Sequence, residues 1–214
     1  MTAHVYWEHV WRKATAPVEW SRPDPWVMAS LGPLRDRGVA DTLDIGCGIG
    51  RHTVLLAKEG FCSHGLDKSR AAVAAVRQAA SEADVRVSVT VGDMAALPYP
   101  SASFDFVLAY NVIYHCDEDG IRQALAEVRR VLRPRGIYQA TMLSKRNREY
   151  GRGVEISPNT FCQPLADDDK VHPHLYADAE DLIRLHNGFT LISHVDAEQS
   201  AQGSFHWHCQ FEVA

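Results

Sequence analysis

The feature that most constrains this chain is a glycine-rich turn, Gly46 to Gly50, placed between a short predicted strand and a helical pattern. The strand is Asp41 to Ile45, and Arg51 to Lys58 fits a helix. Glycines let the backbone turn tightly and approach a ligand, and the first turn of a helix offers unpaired N–H groups. The sequence therefore predicts a strand–turn–helix unit that holds a ligand at the turn.

The glycine spacing differs from that of a dinucleotide-binding loop. Such a loop reads G-x-G-x-x-G and cradles a pyrophosphate. This turn reads G-x-G-x-G, and Asp44 stands two residues before its first glycine. A carboxylate at that place would repel a pyrophosphate but would attract an ammonium group. The turn therefore argues against an NAD(P)-dependent reductase, an alternative that a similar sheet could support.

Strand and helix patterns alternate along most of the chain. The strands predicted after the first one are 61–66, 86–91, 104–110, 137–143, 189–195 and 205–213. Ser69, Asp117 and Asp178 are predicted to cap helices between them. The last two strands are too close together for a crossover helix and should be antiparallel. The pattern predicts an α/β fold, a Rossmann-like, doubly wound sheet of seven strands with helices on both faces, in one domain over 1–214.

Two segments fall outside this alternation. Residues 1–39 are aromatic and helix-prone, and they predict an N-terminal helical cap. Residues 144–177 show no clear periodicity, and loops of that length are usually lids or binding loops. We therefore expect a lid insertion on the substrate side, which should be the least ordered part of the chain.

Two further acids stand at the ends of predicted strands. Asp67 ends the second strand, 21 residues after Gly46, where a carboxylate can accept ribose hydroxyl protons. Asp93 ends the third strand and is followed by Met94. An aspartate there can accept from an exocyclic amine, and a methionine can cover a purine face. Together with Asp44, these strand ends suit a nucleoside with an amino-acid tail and no phosphate.

On these residues the chain resembles the class I S-adenosylmethionine-dependent methyltransferases, from Tyr6 to the last strand. The resemblance implies S-adenosyl-L-methionine as cofactor and a last strand inserted antiparallel between strands five and six. It places Asp44 and the glycine turn at the methionine moiety, Asp67 at the ribose, and Asp93 with Met94 at the adenine. The cofactor contacts that we predict in full are Asp44, Gly46, Cys47, Gly48, Gly50, Arg51, Asp67, Lys68, Asp93, Met94, Asn111 and Trp7.

The segment Asn111 to His115, after the fourth strand, bears on the methyl acceptor. Methyltransferases that act on DNA or protein-glutamine amino groups carry Asn/Asp-Pro-Pro-Tyr/Phe there; Asn111 and Tyr114 fit that element, but its prolines are absent. The segment is more similar to small-molecule methyltransferases, and the chain has a looser similarity to tellurite-resistance and thiol methyltransferases. The resemblance implies methyl transfer to a small molecule by in-line displacement. The alternative is a non-catalytic S-adenosylmethionine-binding regulatory module or partner subunit.

We predict that His206, His115 and Tyr114 are the catalytic residues on the acceptor side. His206 is the second residue of the last strand. An antiparallel strand begins at the edge where the parallel strands end, so His206 should reach the ligand crevice. There it could orient the acceptor or take its proton.

The eleven histidines include two alternating pairs, His172 with His174 and His206 with His208. These pairs could be polar faces of a loop and a strand, or contacts to the substrate. Metal binding needs about three converging ligands, which the sequence does not place together, so we expect no metal site.

Two other patterns each allow two interpretations. Trp7 and Trp11 could pack on the sheet or close over the cofactor. The basic cluster could be a solvated loop or a clamp on an anionic substrate; its members are Lys145, Arg146, Arg148 and Arg152.

Composition limits the partners. The net charge of the 214-residue chain is −5, so we expect no nucleic-acid partner. The apolar run 71–76 is far shorter than the roughly 20 residues of a membrane span. Five widely spaced cysteines and an N-terminus without an apolar signal-like core indicate reduced thiols and a cytoplasmic protein.

Overall fold

The structure is a computed structural model that describes residues 1–13, 18–199 and 201–213. Within these ranges the helices are α1 (Ala3–Arg12), α2 (Pro25–Asp36), α3 (Arg51–Lys58), α4 (Arg70–Glu82), α5 (Glu118–Val131) and α6 (Ala179–Leu185). The first five strands are β1 (Asp41–Ile45), β2 (Cys62–Asp67), β3 (Ser88–Val91), β4 (Phe104–Ala109) and β5 (Leu132–Ser144). The later strands are β6 (Val154–Ser157), β7 (Thr160–Cys162), β8 (His174–Ala177), β9 (Phe189–Glu198) and β10 (Phe205–Val213).

The main sheet has the predicted doubly wound order. Its strands follow each other as β3, β2, β1, β4, β5, β10 and β9. The first five are parallel, whereas β10 is antiparallel to both of its neighbours. The α/β fold class and the insertion of the last strand are therefore confirmed. The seven predicted strands are present, and β8, β7 and β6 add three strands that were not predicted.

Three helices, α4, α5 and α6, begin where the sequence predicts, and for the predicted reason. Ser69, Asp117 and Asp178 each occupy the N-cap position, and each side chain accepts a hydrogen bond from a backbone N–H in the first turn. Caps of this kind satisfy donors that a helix start leaves unpaired.

The core lies on both faces of the sheet, as expected for parallel strands covered by helices. Alternate residues of β4 point to opposite sides. Phe106 and Leu108 belong to a cluster that contains Val27 and Leu31 of α2. Val107 belongs to the larger cluster on the other face, together with apolar residues of α5 and α6.

The segment 144–177 contains regular structure, which corrects the prediction of an irregular stretch. Strands β6 and β7 form a hairpin, and β8 is buried along its whole length. Leu143 of β5 pairs with Tyr176 of β8 on one side and with His206 of β10 on the other. β8 thus extends the sheet beyond the end of β4 and satisfies backbone groups there. Strands of three or four residues are too short to show alternation in a sequence. The segment's role as a lid stays a prediction.

The predicted N-terminal cap, residues 1–39, consists of two different parts. α2 is a core helix under the sheet. α1 instead packs beside α4, where the Glu8 carboxylate accepts hydrogen bonds from the Ser69 hydroxyl at 2.6 Å and the Ala71 N–H at 3.3 Å. None of the helices in the described ranges has the length and apolar character that crossing a membrane requires.

Candidate functional site

A cavity of about 1110 Å³ opens at the carboxyl ends of the parallel strands. Its walls come from the glycine turn after β1, the ends of β2 and β3, the loop after β4, the start of β10, and α1. All predicted cofactor residues except Gly50 line it, and so do the three predicted catalytic residues. The structure therefore brings into one cavity residues that lie as far apart in the sequence as Trp7 and His206.

Asp44 is the most buried acid of the cavity wall, with 2% of its surface exposed. Its carboxylate accepts a hydrogen bond from the Thr53 hydroxyl at 2.7 Å. Burial raises the pKa of Asp44 to about 7, although the Thr53 hydrogen bond and the charge of Arg51 act in the opposite direction. A buried carboxylate of this kind gains most from a cationic ligand, because a nearby positive charge favours its ionised form.

At two positions of the turn, Gly46 and Gly48, close packing leaves little room for a larger residue. A Cβ on Gly46 would lie 2.3 Å from a methyl group of Val112, and Gly46 has a φ of +64°. Gly48 has a φ of +53°, and a Cβ there would lie 3.1 Å from the Trp11 ring. The turn is thus pressed between the loop after β4 and α1, and only glycine combines this φ with this space.

Gly50 does not line the cavity, which corrects its predicted role as a cofactor contact. It is the N-cap of α3, with a φ of +87°, and a Cβ there would lie 2.8 Å from Val76 of α4. Gly50 therefore turns the chain into α3 and lets α3 and α4 approach each other. The G-x-G-x-G pattern alone does not separate a glycine that faces a ligand from one that permits helix packing.

Asp67 is held in place by backbone donors. Its Oδ2 accepts from the Gly48 N–H at 2.9 Å, and its Oδ1 accepts from the Ser69 N–H at 2.8 Å. Burial raises the pKa of Asp67, while these two hydrogen bonds lower it. Each carboxylate oxygen can accept a second hydrogen bond, so the group retains capacity for two hydroxyls of a ligand.

Asp93 and Lys68 form an ion pair at the rim of the cavity. The Lys68 ammonium lies 2.5 Å from Asp93 Oδ2, and Asp93 Oδ1 accepts from the Ala95 N–H at 3.0 Å. Met94 also lines the cavity and packs against the main core. Lys68, predicted as a cofactor contact, thus has Asp93 as its partner in this structure.

Asn111 has an unusual backbone conformation directly after β4. Its φ is +56°, which is uncommon for a residue other than glycine. Two hydrogen bonds to Thr141 hold Asn111 in this conformation. The Asn111 N–H donates to the Thr141 hydroxyl at 2.7 Å, and that hydroxyl donates to Asn111 Oδ1 at 2.9 Å. Strained residues held this way often occur at ligand sites. Here the turn at Asn111 leads into the loop that contains Tyr114 and His115, and both of these side chains line the cavity.

Tyr114 and His206, both predicted to be catalytic, face each other in the cavity wall. The Tyr114 hydroxyl lies 3.5 Å from His206 Nε2, and His206 Nδ1 lies 3.2 Å from the Ser204 carbonyl oxygen. Burial lowers the pKa of His206 to about 4, although its hydrogen bond to Ser204 raises it. The imidazole is therefore neutral at neutral pH. His208, the other member of this pair, stacks on Trp26 of α2 with ring centroids 4.9 Å apart.

The other histidine pair, His172 and His174, is buried and lies beside His115. One ring nitrogen from each of His115, His172 and His174 lies within 4.8 Å of the other two. His172 and His174 are fully buried, so they are not the polar face of an exposed loop. The expectation of no metal site rested on the lack of three converging ligands, and this cluster removes that premise. The His-x-His spacing was the available signal, because alternate residues of an extended chain share one face.

Three tryptophans of the N-terminal segment, Trp7, Trp11 and Trp20, line the cavity. Trp7 stacks on Trp11 with ring centroids 5.4 Å apart, and Trp20 contacts both rings. Trp7 also lies 5.9 Å from the His115 ring. Of the two interpretations of Trp7 and Trp11, the structure favours closure over the cavity.

The basic cluster does not form a clamp. Lys145 is paired with Asp178 at 2.8 Å and with Asp181 at 2.7 Å, and only Arg148 of the four lines the cavity. A cation missed in the sequence, Lys170, also lines it and is paired with Asp169.

Comparisons with known proteins identify related chains. A sequence profile of the methyltransferase domain matches residues 42–136. A protein of Encephalitozoon cuniculi that is named as a methyltransferase is 32% identical over 166 residues, and the match covers 74% of each chain. The 27-O-demethylrifamycin SV methyltransferase of Amycolatopsis mediterranei is 39% identical over 116 residues, which cover 51% of this chain and 40% of that one.

The fold is also similar to that of a solved structure. The 1,6-didemethyltoxoflavin-N1-methyltransferase of Burkholderia thailandensis, solved with S-adenosylhomocysteine bound, has a TM-score of 0.73 and 17% identity; the match covers 99% of this chain and 88% of that one. The chain spans less than half the length of three of the curated relatives that it matches.

Proposed function

Because the chain belongs to the S-adenosylmethionine-dependent methyltransferases, we propose that it methylates a small molecule held in the cavity described above. The aromatic lining of this cavity carries the proposal, since the Trp7 and Trp11 rings of α1 border it and Trp20 contacts both rings. Pockets for one ligand are typically about 300–1,000 Å³. A cavity of about 1110 Å³ has room for the cofactor and a second small molecule. A macromolecular acceptor would instead need an open groove.

The residues at the strand ends fit the cofactor, which when bound supplies an electrophilic methyl group on a sulfonium sulfur. Asp44 is buried, and it forms no salt bridge among the described residues, so a ligand ammonium would complete its surroundings. Asp67 has unused acceptor capacity for ribose hydroxyls. Asp93 and Met94 border the space beyond it, on the adenine side.

Tyr114 and His206 suit the handling of an acceptor proton. The Ser204 carbonyl only accepts, so His206 Nδ1 carries the hydrogen, and the lone pair of Nε2 faces the Tyr114 hydroxyl at 3.5 Å. That nitrogen can take a proton from a hydroxyl, thiol or amine acceptor. The aromatic wall excludes water and limits the orientations of the acceptor; alignment of this kind contributes about 7–11 kcal/mol in favourable cases. The named acceptor of the Amycolatopsis relative is itself a small molecule, which supports this class.

A product screen with methyl-labelled cofactor tests the proposal. The protein is incubated with separate pools of thiols, phenols, amines and metalloid oxyanions, and labelled products are detected by mass spectrometry. We expect label in at least one pool and none with Asp44→Ala, which should not hold the cofactor. Control reactions contain DNA, RNA and protein lysate. Label in a macromolecule alone would refute the small-molecule acceptor, and cofactor binding with no methyl transfer to any class would favour a binding module.

A further inference from the structure

The three-histidine cluster lies where the cavity meets the inserted segment. His172 and His174 flank Pro173 at the start of β8, and their rings stack with centroids 4.7 Å apart. The His115 ring stands edge-on to both, at 5.0 Å from His172 and 4.7 Å from His174. The methyltransferase reaction described above does not use His172 or His174.

Each of these imidazoles has one nitrogen beside a backbone carbonyl oxygen. His115 Nε2 lies 3.1 Å from the Asn111 oxygen, and His172 Nδ1 lies 3.4 Å from the Pro173 oxygen. His174 Nδ1 lies 2.8 Å from the His172 oxygen. A carbonyl oxygen only accepts, so these nitrogens carry the hydrogens, and in a neutral ring the other nitrogen has a free lone pair. Histidines that bind metals are usually oriented in this way by a donor bond from the second nitrogen.

The opposite nitrogens are the unexplained atoms. His115 Nδ1 and His172 Nε2 are buried and have no hydrogen-bond partner within the described residues. His174 Nε2 faces the Asp169 carboxylate at 3.2 Å. A lone pair and a carboxylate oxygen repel each other at that distance unless a proton or a metal cation lies between them. Buried polar atoms without a partner are rare, and two in one cluster, beside a third imidazole that faces a carboxylate, need a common explanation.

We propose that His115 Nδ1, His172 Nε2 and His174 Nε2 are the ligands of one divalent transition-metal ion, with Zn²⁺ as the expected ion. Three imidazole nitrogens form a ligand set of zinc sites that keep one coordination position open. Zinc–nitrogen bonds of about 2.0–2.1 Å in a tetrahedral site need about 3.4 Å between ligand nitrogens, so the three rings would move toward one another when the ion binds. The Asp169 carboxylate would then balance part of the charge of the ion and leave the fourth position open.

The open position would face the cavity, because His115, Pro173 and Asp169 all line it. An ion there attracts an acceptor with an ionisable sulfur or oxygen, since a coordinated thiol loses its proton. This role in acceptor binding rests on the proposed function, whereas the metal site itself does not.

Metal binding by the purified full chain tests the site without any turnover. The protein is stripped with a chelator, titrated with Zn²⁺ and, separately, with Co²⁺, whose visible absorption reports tetrahedral nitrogen ligation. We expect one equivalent per chain and a melting temperature that rises with added Zn²⁺, because an ion that binds only the folded chain stabilises it. Substitution of a residue that only orients a metal ligand typically weakens metal binding by about 10–100-fold. His172→Gln removes a ligand and should weaken Zn²⁺ binding by more than that.

Two controls make the result specific. His208→Gln alters a histidine that stacks on α2, and it should leave binding unchanged. Cys62→Ser removes the other group of potential ligands, Asp41, Cys62 and His64, and it should also leave one equivalent. The proposal fails if the wild-type protein binds no Zn²⁺, which would mean that a proton on His174 alone balances Asp169. It also fails if binding survives His172→Gln or is lost in Cys62→Ser. The wild-type titration and melting curve decide the matter even if a variant does not fold.

Discussion

Removal of the Asp67 carboxylate should weaken cofactor binding far more than it weakens the fold. Asp67 accepts hydrogen bonds from the Gly48 and Ser69 N–H groups and keeps acceptor capacity toward the cavity. The net contribution of one hydrogen bond is about 1–1.5 kcal/mol, so loss of the two ribose contacts should cost about 2–3 kcal/mol in total. That free energy corresponds to about a 30- to 150-fold increase in the dissociation constant of Asp67→Ala.

The assay is calorimetric titration with S-adenosylhomocysteine, which binds without turnover. Asp105→Asn is a matched control, because Asp105 also accepts two backbone N–H bonds, from Ala40 and Asp41, but does not line the cavity. It should lower the melting temperature and leave the dissociation constant within about twofold. Unchanged affinity in a folded Asp67→Ala protein would refute the ribose assignment, and so would an equal loss in Asp105→Asn.

Three further outcomes are expected. His206→Gln should lower turnover with the true acceptor at least tenfold while the dissociation constant for S-adenosylhomocysteine stays within about twofold; equal changes in both would assign His206 to cofactor binding. Gly46→Ala should destabilise the fold by about 1–3 kcal/mol, because the added methyl group would overlap the side chain of Val112. Gly32→Ala is the control: its methyl group would enter open space, so it should be neutral or stabilising in melting curves of the two variants. Burial raises the pKa of Asp44 to about 7 from its ordinary 3.8, so the folded state holds a proton that the unfolded state releases between these values. The free energy of unfolding should therefore fall as pH rises from 4 toward 7, and denaturant titrations should show a smaller fall for Asp44→Asn; identical slopes would contradict the burial argument.

The parts of the site on β1, β2 and β3 could be predicted from the sequence because each function depends on a residue next to a strand end. Asp44, Asp67 and Asp93 could be placed once the strands were recognised, since the carboxyl ends of parallel strands meet at one edge. Ser69 is a similar case, because an N-cap acts within its own helix turn. In each case the informative contacts are local.

The acceptor side could be predicted only in part, since its contacts join distant segments. His206 follows from the direction of β10, but its Tyr114 partner depends on the turn at Asn111. The meeting of His115 with His172 and His174 depends on β8, a four-residue strand that pairs with the end of β5. Such short strands give no periodic signal, and their placement is decided by tertiary pairing.

The position of Leu143 has a consequence for how acceptor choice could diversify. This one residue of β5 is bonded into β8 on one side and β10 on the other, so the strands that carry His174 and His206 share a fixed register. A one-residue slip of either strand would turn its side chains to the opposite face. New acceptors are therefore accommodated more readily by replacing α1 or the turn over 163–171, which line the cavity without a ladder partner on β5. In protein engineering, libraries placed in those two segments would alter substrate range while the strand framework keeps its geometry.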